Sequence, residues 1–200
     1  MATSVRKRPN GVTAAPPRRS AKRYDSAPLT ASRPELIVNG SDREFRELVH
    51  NLFGFFSLHE KVRRGHGAFI GLAGVEYTVL IAIAHLAADH DVNVKTVADH
   101  LHLSGAFITS TTRRLLQLGL IHKTMDTVDR RRVTLTVSSK GRAALEKLAP
   151  VQRRINDVEF GCLSREEFRA LNTLLKRMIE CGDRAVALQS YLLTGGTLAD

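Results

Sequence analysis

Residues 97–142 read VADHLHLSGAFITSTTRRLLQLGLIHKTMDTVDRRRVTLTVSSKGR and contain the signals of two short helices and a hairpin. The apolar positions predict a short helix over Val94–Leu101. Ser104 is a favoured N-cap for a second helix that runs to about Leu118, and Gly119 suits the stop after it. Two short helices joined by a tight turn match the helix-turn-helix pattern.

Two strands are predicted next, over Leu120–Thr124 and over Arg132–Val137, where apolar residues alternate. The residues between them form a charged hairpin tip. Ser138 is then expected to cap a further helix, which we expect to be kinked or interrupted past Pro150.

Helical patterns continue on both sides of this stretch. Ser41 or Asp42 can cap a first helix with apolar residues up to Val62, and a loop with glycines 65, 67 and 71 is expected to follow it. A second helix is predicted over Ala73–Ala88. Ser164 and the glutamate three residues later form a capping box before a last helix. The predicted fold class is mostly α with a small β-hairpin.

The net charge of +10 is concentrated in two places. Residues 1–33 hold eight Lys and Arg against one Asp, a net +7, and residues 104–142 hold eight against two Asp, a net +6. The rest of the chain therefore sums to −3. This distribution is typical of a surface that binds a polyanion, because a uniformly solvated surface would spread its charge.

The predicted helix after Ser104 has the two faces that a helix in the DNA major groove needs. Ile108 and Leu115 form its apolar underside. Its hydroxyls and Arg113 can bond phosphates or base edges, and Ala106 and Phe107 can meet thymine methyl groups. An ordinary amphipathic helix with solvated Ser and Thr is the alternative. The exposed face would carry Ser104, Gly105, Ala106, Phe107, Thr109, Ser110 and Arg113.

The hairpin tip carries three consecutive arginines, Arg130, Arg131 and Arg132, which repel one another and give a fold no stability. An arginine on a thin hairpin can enter the narrow minor groove, where the potential is most negative. Asp129 can pair with Arg130 or Arg131 and fix the direction of the tip. The alternative is a solvated charged turn. This alternative is the weaker of the two, because a helix-turn-helix lies just before the hairpin.

These pieces together resemble the multiple-antibiotic-resistance repressor (MarR) family. Asp126–Arg131 resembles the D-x-x-D-R-R wing of that family, and Val137–Arg142 resembles its L-T-x-x-G-R helix start, at a matching separation. The wing is the specific part, since a helix-turn-helix alone is generic. The resemblance extends over about residues 40–190. Two departures are Gly105-Ala106-Phe107, which is less polar than usual, and Thr112, where an aliphatic residue is common; DNA shape and wing contacts are then expected to contribute more.

The resemblance implies a triangular homodimer with two winged lobes on the half-sites of a palindrome in double-stranded DNA. Such repressors are typically released by a small phenolic or aromatic acid, which makes an effector an expected partner. It implies a winged helix-turn-helix lobe flanked by a helical dimerisation region. The expected parts are a disordered basic arm (1–34), the dimerisation region (35–71 and 143–190), the DNA-binding lobe (72–142) and a tail (191–200).

An effector site for an aromatic acid needs apolar walls and a few cationic or hydrogen-bonding groups. The first helix and its loop, together with the second helix, offer such residues. For each of them the alternative, an ordinary core or solvated residue, is strong, because aromatic residues at helical spacing usually belong to a core. The candidates are Phe53, Phe56, His59, Arg63, His66 and Tyr77.

Other classes are less favoured. No nucleotide-binding, hydrolase or metalloprotease motif is present, which argues against an enzyme, and no cofactor is expected. Cys162 and Cys181 are expected to fill space, and His100 and His102 beside Asp99 are expected on the surface, so neither a redox nor a metal sensor is favoured. No apolar run suggests a membrane span, and a cytoplasmic location is expected. A winged-helix protein-interaction module without DNA binding, or a regulator without a ligand, remains open.

Overall fold

The computed structural model describes residues 28–88, 91–125 and 133–197 of the chain. In these residues six α-helices and one two-stranded antiparallel sheet confirm the predicted class, mostly α with a small β-hairpin. The elements are α1 (Arg43–Phe69), α2 (Gly74–Leu86), α3 (Val94–Leu101), α4 (Gly105–Gln117), β1 (Ile121–Met125), β2 (Val133–Val137), α5 (Ser139–Glu159) and α6 (Arg165–Leu193).

The chain divides into two compact units between residues 57 and 58, within α1. In the first unit, a single 3-10 turn over Pro34–Leu36 precedes α1. Ser41 is the predicted cap that accepts a helix N–H, from Arg43 at 3.3 Å. The buried carboxylate of Asp42 instead accepts the backbone N–H and the hydroxyl of Thr30, each at 2.6 Å. Residues 1–27 of the predicted arm lie outside the described residues.

The core of the second unit is built around α2. This helix buries residues on most of its circumference, which is typical of a helix enclosed by its neighbours. The helix-turn-helix pair α3 and α4, the hairpin and α5 supply the rest of the core. Its fully buried large side chains are Leu80, Ile83, Ile108, Leu115, Ile121, Leu135, Leu148, Val79, Val92 and Val97.

The hairpin pairs its two predicted strands antiparallel. Ile121 lies opposite Val137 at its base, and Met125 lies opposite Val133 at its far end. Leu135 of β2 also donates its N–H to the carbonyl oxygen of Val92 at 2.7 Å, which attaches the hairpin to the segment before α3. Both strands therefore agree with the predicted ranges to within one residue.

The predicted glycine loop after the first helix is wrong for two of its three glycines. α1 continues to Phe69, so Gly65 and Gly67 are helical, and only Gly71 lies in the turn, with φ +74°. Gly67 is helical because the turn packs on it: its carbonyl accepts the N–H groups of Ile70 and Leu72 at 3.0 and 2.9 Å. The hydrogen bonds and close contacts of the turn thus outweigh the low helix propensity of glycine.

α5 runs without interruption over Ser139–Glu159, so the predicted interruption past Pro150 does not occur. A proline removes one backbone hydrogen bond, but both halves of α5 are held to other elements. Leu148 lies in the core on one side of Pro150, and polar side chains beyond it contact α1 and α2.

Among the described helices, none is by itself long and apolar enough to cross a membrane. α1 and α2 reach that length and composition only when taken together, as a pair bent by 82° at the break between them.

Candidate nucleic-acid interface

The two helices of the helix-turn-helix are set by side-chain caps. Asn93 accepts the N–H of Thr96 at 2.9 Å and begins α3, and Ser104 accepts the N–H of Phe107 at 3.3 Å and begins α4, as predicted. Between them His102 adopts the left-handed conformation, with φ +52° and ψ +41°, which ends α3 and turns the chain. The tight turn therefore needs no glycine.

The inner face of α4 anchors it in the lobe. Ile108 and Leu115 are both fully buried, as predicted for the underside of the helix. Thr111 and Thr112 are also buried, and their hydroxyls donate to the carbonyls of Phe107 and Thr109 at 3.0 and 3.1 Å. Thr112 can replace an aliphatic residue there because its hydroxyl is satisfied inside its own helix.

The outer face of α4 is open to solvent at every position predicted for it. An added Cβ on the first residue of the helix, Gly105, would meet no atom within 4 Å, so another molecule can approach the backbone closely there. The exposed residues are Ser104, Gly105, Ala106, Phe107, Thr109, Ser110 and Arg113.

A joint at Leu120 ties the end of α4 to the hairpin and to the start of α5. The carbonyl of Leu120 accepts the N–H of Ser138 at 3.0 Å, and the Ser138 hydroxyl donates to the carbonyl of Gly119 at 2.7 Å while accepting the N–H of Gly141. A Cβ on Gly141 would lie 2.2 Å from the Leu120 carbonyl oxygen. Only glycine permits this approach, which gives a structural reason for the glycine in the Val137–Arg142 motif.

Several basic side chains of this region are used within the fold. Lys140 donates to the carbonyl of Leu118 at 2.8 Å, and Arg142 donates to the carbonyl of Val137 at 2.8 Å. Arg114 lies 3.7 Å from the carboxylate of Glu76 on α2. In the described part of residues 104–142, Arg113 and Lys123 are the cations with no such partner. The charge count of the sequence therefore overstates how many cations are available to a ligand.

The tip of the hairpin, residues 126–132, lies outside the described residues. The predicted roles of Asp129, Arg130, Arg131 and Arg132 therefore stay predictions. The strands that carry the tip are described, and they are fixed to the lobe through Val92 and through the joint at Leu120.

A second group of predicted residues meets where α1, α2 and α5 pack together in the second unit. His66 and Tyr77 are 3% and 4% exposed, and their rings contact edge to face with centroids 5.6 Å apart. Arg63 donates to the hydroxyl of Thr78 at 2.7 Å and pairs with Glu60 at 3.1 Å. His59 completes the group at the outer end, where its Nδ1 lies 3.0 Å from a carboxylate oxygen of Glu159.

The partners of this group on α5 were missed by the sequence analysis. Gln152 donates to the Tyr77 hydroxyl at 2.9 Å, and Asn156 lies 3.3 Å from Nε2 of His66. With Glu159, these residues are spaced by four and three positions, so they share one face of α5. That spacing was the available signal, but nothing in it shows which helix the face meets.

Burial sets the electrostatics of the group. Burial raises the pKa of the Tyr77 phenol, and the positive charge of Arg63 partly opposes this rise. Nδ1 of His66 and Oε2 of Glu159 are buried without a hydrogen-bond partner in the described structure. Buried polar atoms in that state are costly unless water or a ligand satisfies them.

The remaining candidates are not brought into this group. Phe53 and Phe56 belong to the first unit, where they are 68% and 53% exposed. Cys162, between α5 and α6, and Cys181, on α6, are also exposed in the single chain, so the expectation that they fill space is wrong. No cluster of three or more His, Cys, Asp or Glu side chains suited to a metal ion occurs in the described residues.

Comparison with known proteins agrees with this geometry. The model of the MarR family matches residues 70–132, which span α2, the helix-turn-helix and the start of the hairpin. The HTH-type transcriptional repressor NicR of Pseudomonas putida is 27% identical over 140 residues, which cover 70% of this chain and 86% of NicR.

Solved structures with the same fold include BpsR of Bordetella bronchiseptica, described for the regulation of its DNA binding by 6-hydroxynicotinic acid. BpsR is 25% identical, with a TM-score of 0.55, and the match covers 66% of this chain and 98% of BpsR. A mutant of MarR from E. coli, solved with operator DNA, is 18% identical with a TM-score of 0.57, over 68% of this chain and 95% of that protein. The family model over residues 70–132, the NicR relative and the shared winged-helix fold show that this chain is similar to the transcription regulators of the MarR family.

Proposed function

We propose that the chain is a homodimeric transcription repressor that binds a palindromic DNA operator and is released from it by a small aromatic acid. The observation that carries this proposal is the joint at Leu120, which holds the exposed helix α4 and the two strands of the hairpin in one lobe. A helix for the major groove and a finger for the adjacent minor groove must keep a fixed spacing if both are to contact one duplex.

In this function the outer face of α4 enters the major groove, with Arg113 on phosphate or guanine. Arg130 or Arg131 enters the minor groove, and Asp129 orients it. The core of the lobe keeps the helix rigid, so sequence recognition costs little ordering of the protein. The protein acts in the cytoplasm, where its DNA is, and performs no chemistry on it.

Dimerisation is supported by α6, which presents a long apolar stripe to solvent in the single chain. Phe168, Leu171, Leu174 and Met178 recur at three- and four-residue spacing and are 39–57% exposed. Contiguous apolar exposure on this scale marks an interaction surface. A second copy of the chain is the natural cover, because a palindromic operator requires a two-fold symmetric reader.

The effector site is proposed at the α1–α2–α5 group in the second unit. Arg63 and His59 can attract a carboxylate, and the unsatisfied Nδ1 of His66 can bond a ring substituent beside the Tyr77 ring. BpsR supports a hydroxylated aromatic acid as the class of ligand, since its DNA binding is regulated by 6-hydroxynicotinic acid. A regulator without a ligand is the second candidate, because Arg63 and His59 already have protein partners.

The test begins with a duplex that the full-length protein selects from a random DNA pool. In a gel-shift titration, Arg130→Ala/Arg131→Ala is expected to bind this duplex about tenfold or more weakly, because both arginines proposed for the minor groove are then removed. Sedimentation should show that the variant remains a folded dimer. The control Arg153→Ala/Arg154→Ala, an adjacent pair on α5, is expected to bind normally. Adding 6-hydroxynicotinic acid should release the wild-type protein.

Unchanged affinity of the wing variant would contradict the wing assignment. Failure to select any sequence would instead favour the interaction module, which should also show little retention on genomic DNA at low salt. If DNA binds but a panel of aromatic acids never releases it, the regulator without a ligand is the correct alternative.

A further inference from the structure

Two large apolar side chains stand at the N-terminal end of the outer face of α4. Phe107 is 43% exposed and Leu103, in the turn before the helix, is 39% exposed. Ala106 lies between them in sequence and is exposed as well. These side chains leave apolar surface open to solvent on the predicted reading face, which is the kind of surface that an interaction can cover.

Part of the hydrogen-bonding capacity on the same face is used by the helix itself. The Ser104 hydroxyl oxygen accepts the N–H of Phe107, and the Thr109 hydroxyl donates to the carbonyl of Gly105 at 2.8 Å. A hydroxyl has one proton to donate, so Thr109 cannot also donate to a base or a phosphate without losing this bond. Ser104, whose own O–H is not used in its cap, remains with Ser110 and Arg113 as a polar group of this face that can donate outward.

The chemistry of the major groove then decides what the apolar part of the face can meet. Each base pair presents hydrogen-bond donors and acceptors there, and thymine adds its C5 methyl group. Covering a donor or acceptor with a phenyl ring costs its desolvation without a compensating bond. Packing the ring on a methyl group carries no such cost and removes apolar surface from water.

We infer that Phe107 is a specificity-determining residue that packs on a thymine methyl group in each operator half-site, with Ala106 beside it. This inference rests on the proposed DNA-binding function and adds to it the base that the helix selects. Leu103 shields the contact from water on its outer side. The half-sites are accordingly expected to hold a thymine at the position nearest the start of α4.

The experiment removes the methyl group without changing base pairing. The duplex selected by the full-length protein is resynthesised with uracil in place of thymine, one symmetric pair of positions at a time, and its affinity is measured for each. Uracil at one symmetric pair of positions is expected to weaken binding by about fourfold for each contacted methyl group, because that is the contribution of one buried carbon to affinity.

The same substitution is then tested on two variants. Phe107→Ala should bind the thymine duplex more weakly and lose the discrimination against uracil at that pair, which gives a non-additive double-mutant cycle. Phe107→Leu, which keeps an apolar contact, should retain discrimination. Gln117→Ala, a change at an exposed position near the other end of α4, serves as the matched control and should discriminate as the wild type does. Thermal unfolding should confirm that all variants are folded.

The outcomes separate this inference from the proposed function. If the wild type binds no duplex, the DNA-binding function fails and the inference fails with it. If the wild type binds its selected duplex but no uracil substitution weakens it, only the inference is overturned. The same holds if Phe107→Ala discriminates between thymine and uracil as strongly as the wild type.

Discussion

The phenol of Tyr77 shows how a single residue responds to its surroundings. It is almost fully buried beside His66 and accepts a hydrogen bond from Gln152. The phenolate form would be a negative charge in the core, and this raises the pKa of Tyr77 even though Arg63 lowers it in part. The raised pKa links the packing of α1, α2 and α5 to pH.

We expect this link to destabilise the protein at alkaline pH. Above the ordinary tyrosine pKa of 10.0, the unfolded chain releases the Tyr77 proton while the folded chain still holds it. The folded state then binds more protons than the unfolded state, so the free energy of unfolding falls as pH rises. A titration followed by tyrosinate absorbance should show a late step that is absent in Tyr77→Phe.

Tyr191→Phe is the control, because this change at an exposed tyrosine should leave the late step in place. A Tyr77 phenol that titrates at or below 10.0 in the folded protein would mean that Arg63 outweighs burial, and the assigned cause would then be wrong.

At the scale of elements, the passage from α1 to α2 depends on one close contact. A Cβ on Gly67 would lie 2.6 Å from the carbonyl oxygen of Leu72 and 3.0 Å from that of Ala73. Both are backbone atoms that cannot move aside cheaply. Gly65, two residues earlier in the same helix, has open space where its Cβ would be.

The two glycines are therefore expected to respond to alanine in opposite directions. Gly67→Ala should destabilise the fold by about 1–3 kcal/mol through overpacking. Gly65→Ala should stabilise it by about 0.5–1 kcal/mol, because alanine loses less backbone entropy in a helix. Urea unfolding of both variants beside the wild type would measure the difference. Equal stability of the two variants would show that the turn can shift to accept a Cβ.

This region also marks what sequence alone could and could not predict. The caps at Ser104 and Ser164, the two strands of the hairpin and the burial of Ile108 were predicted, because each follows from local chemistry or from periodicity. The helical state of Gly67 was not, because it depends on a turn that packs back onto it. The α5 partners of His66 and Tyr77 were missed because contacts 75 and 90 residues apart leave no local signal.

For the whole molecule, the distribution of charge separates two kinds of DNA contact. In the lobe, Lys140 and Arg142 are bound to backbone carbonyls, which leaves fewer cations than residues 104–142 contain. Residues 1–33 carry a larger net charge, +7, and of these residues 1–27 lie outside the described residues. A dimer has two such segments. Contacts from them to phosphates would add affinity without sequence preference.

We therefore expect the basic N-terminal segment to steepen the salt dependence of operator binding. Removing one ion pair between protein and phosphate lowers the slope of log affinity against log salt by about 0.9. Arg18→Gln/Arg19→Gln, which removes two charges from each chain of a dimer, should lower the slope and weaken binding most at low salt. Arg153→Gln/Arg154→Gln removes the same charge from α5, outside the helix-turn-helix and the hairpin, and should leave the slope unchanged. Both variants should select the same DNA sequence as the wild type, since phosphate contacts carry no base information. A slope for Arg18→Gln/Arg19→Gln equal to that of the wild type would mean that the segment is a solvated tail and that the lobes alone supply the electrostatic part of binding.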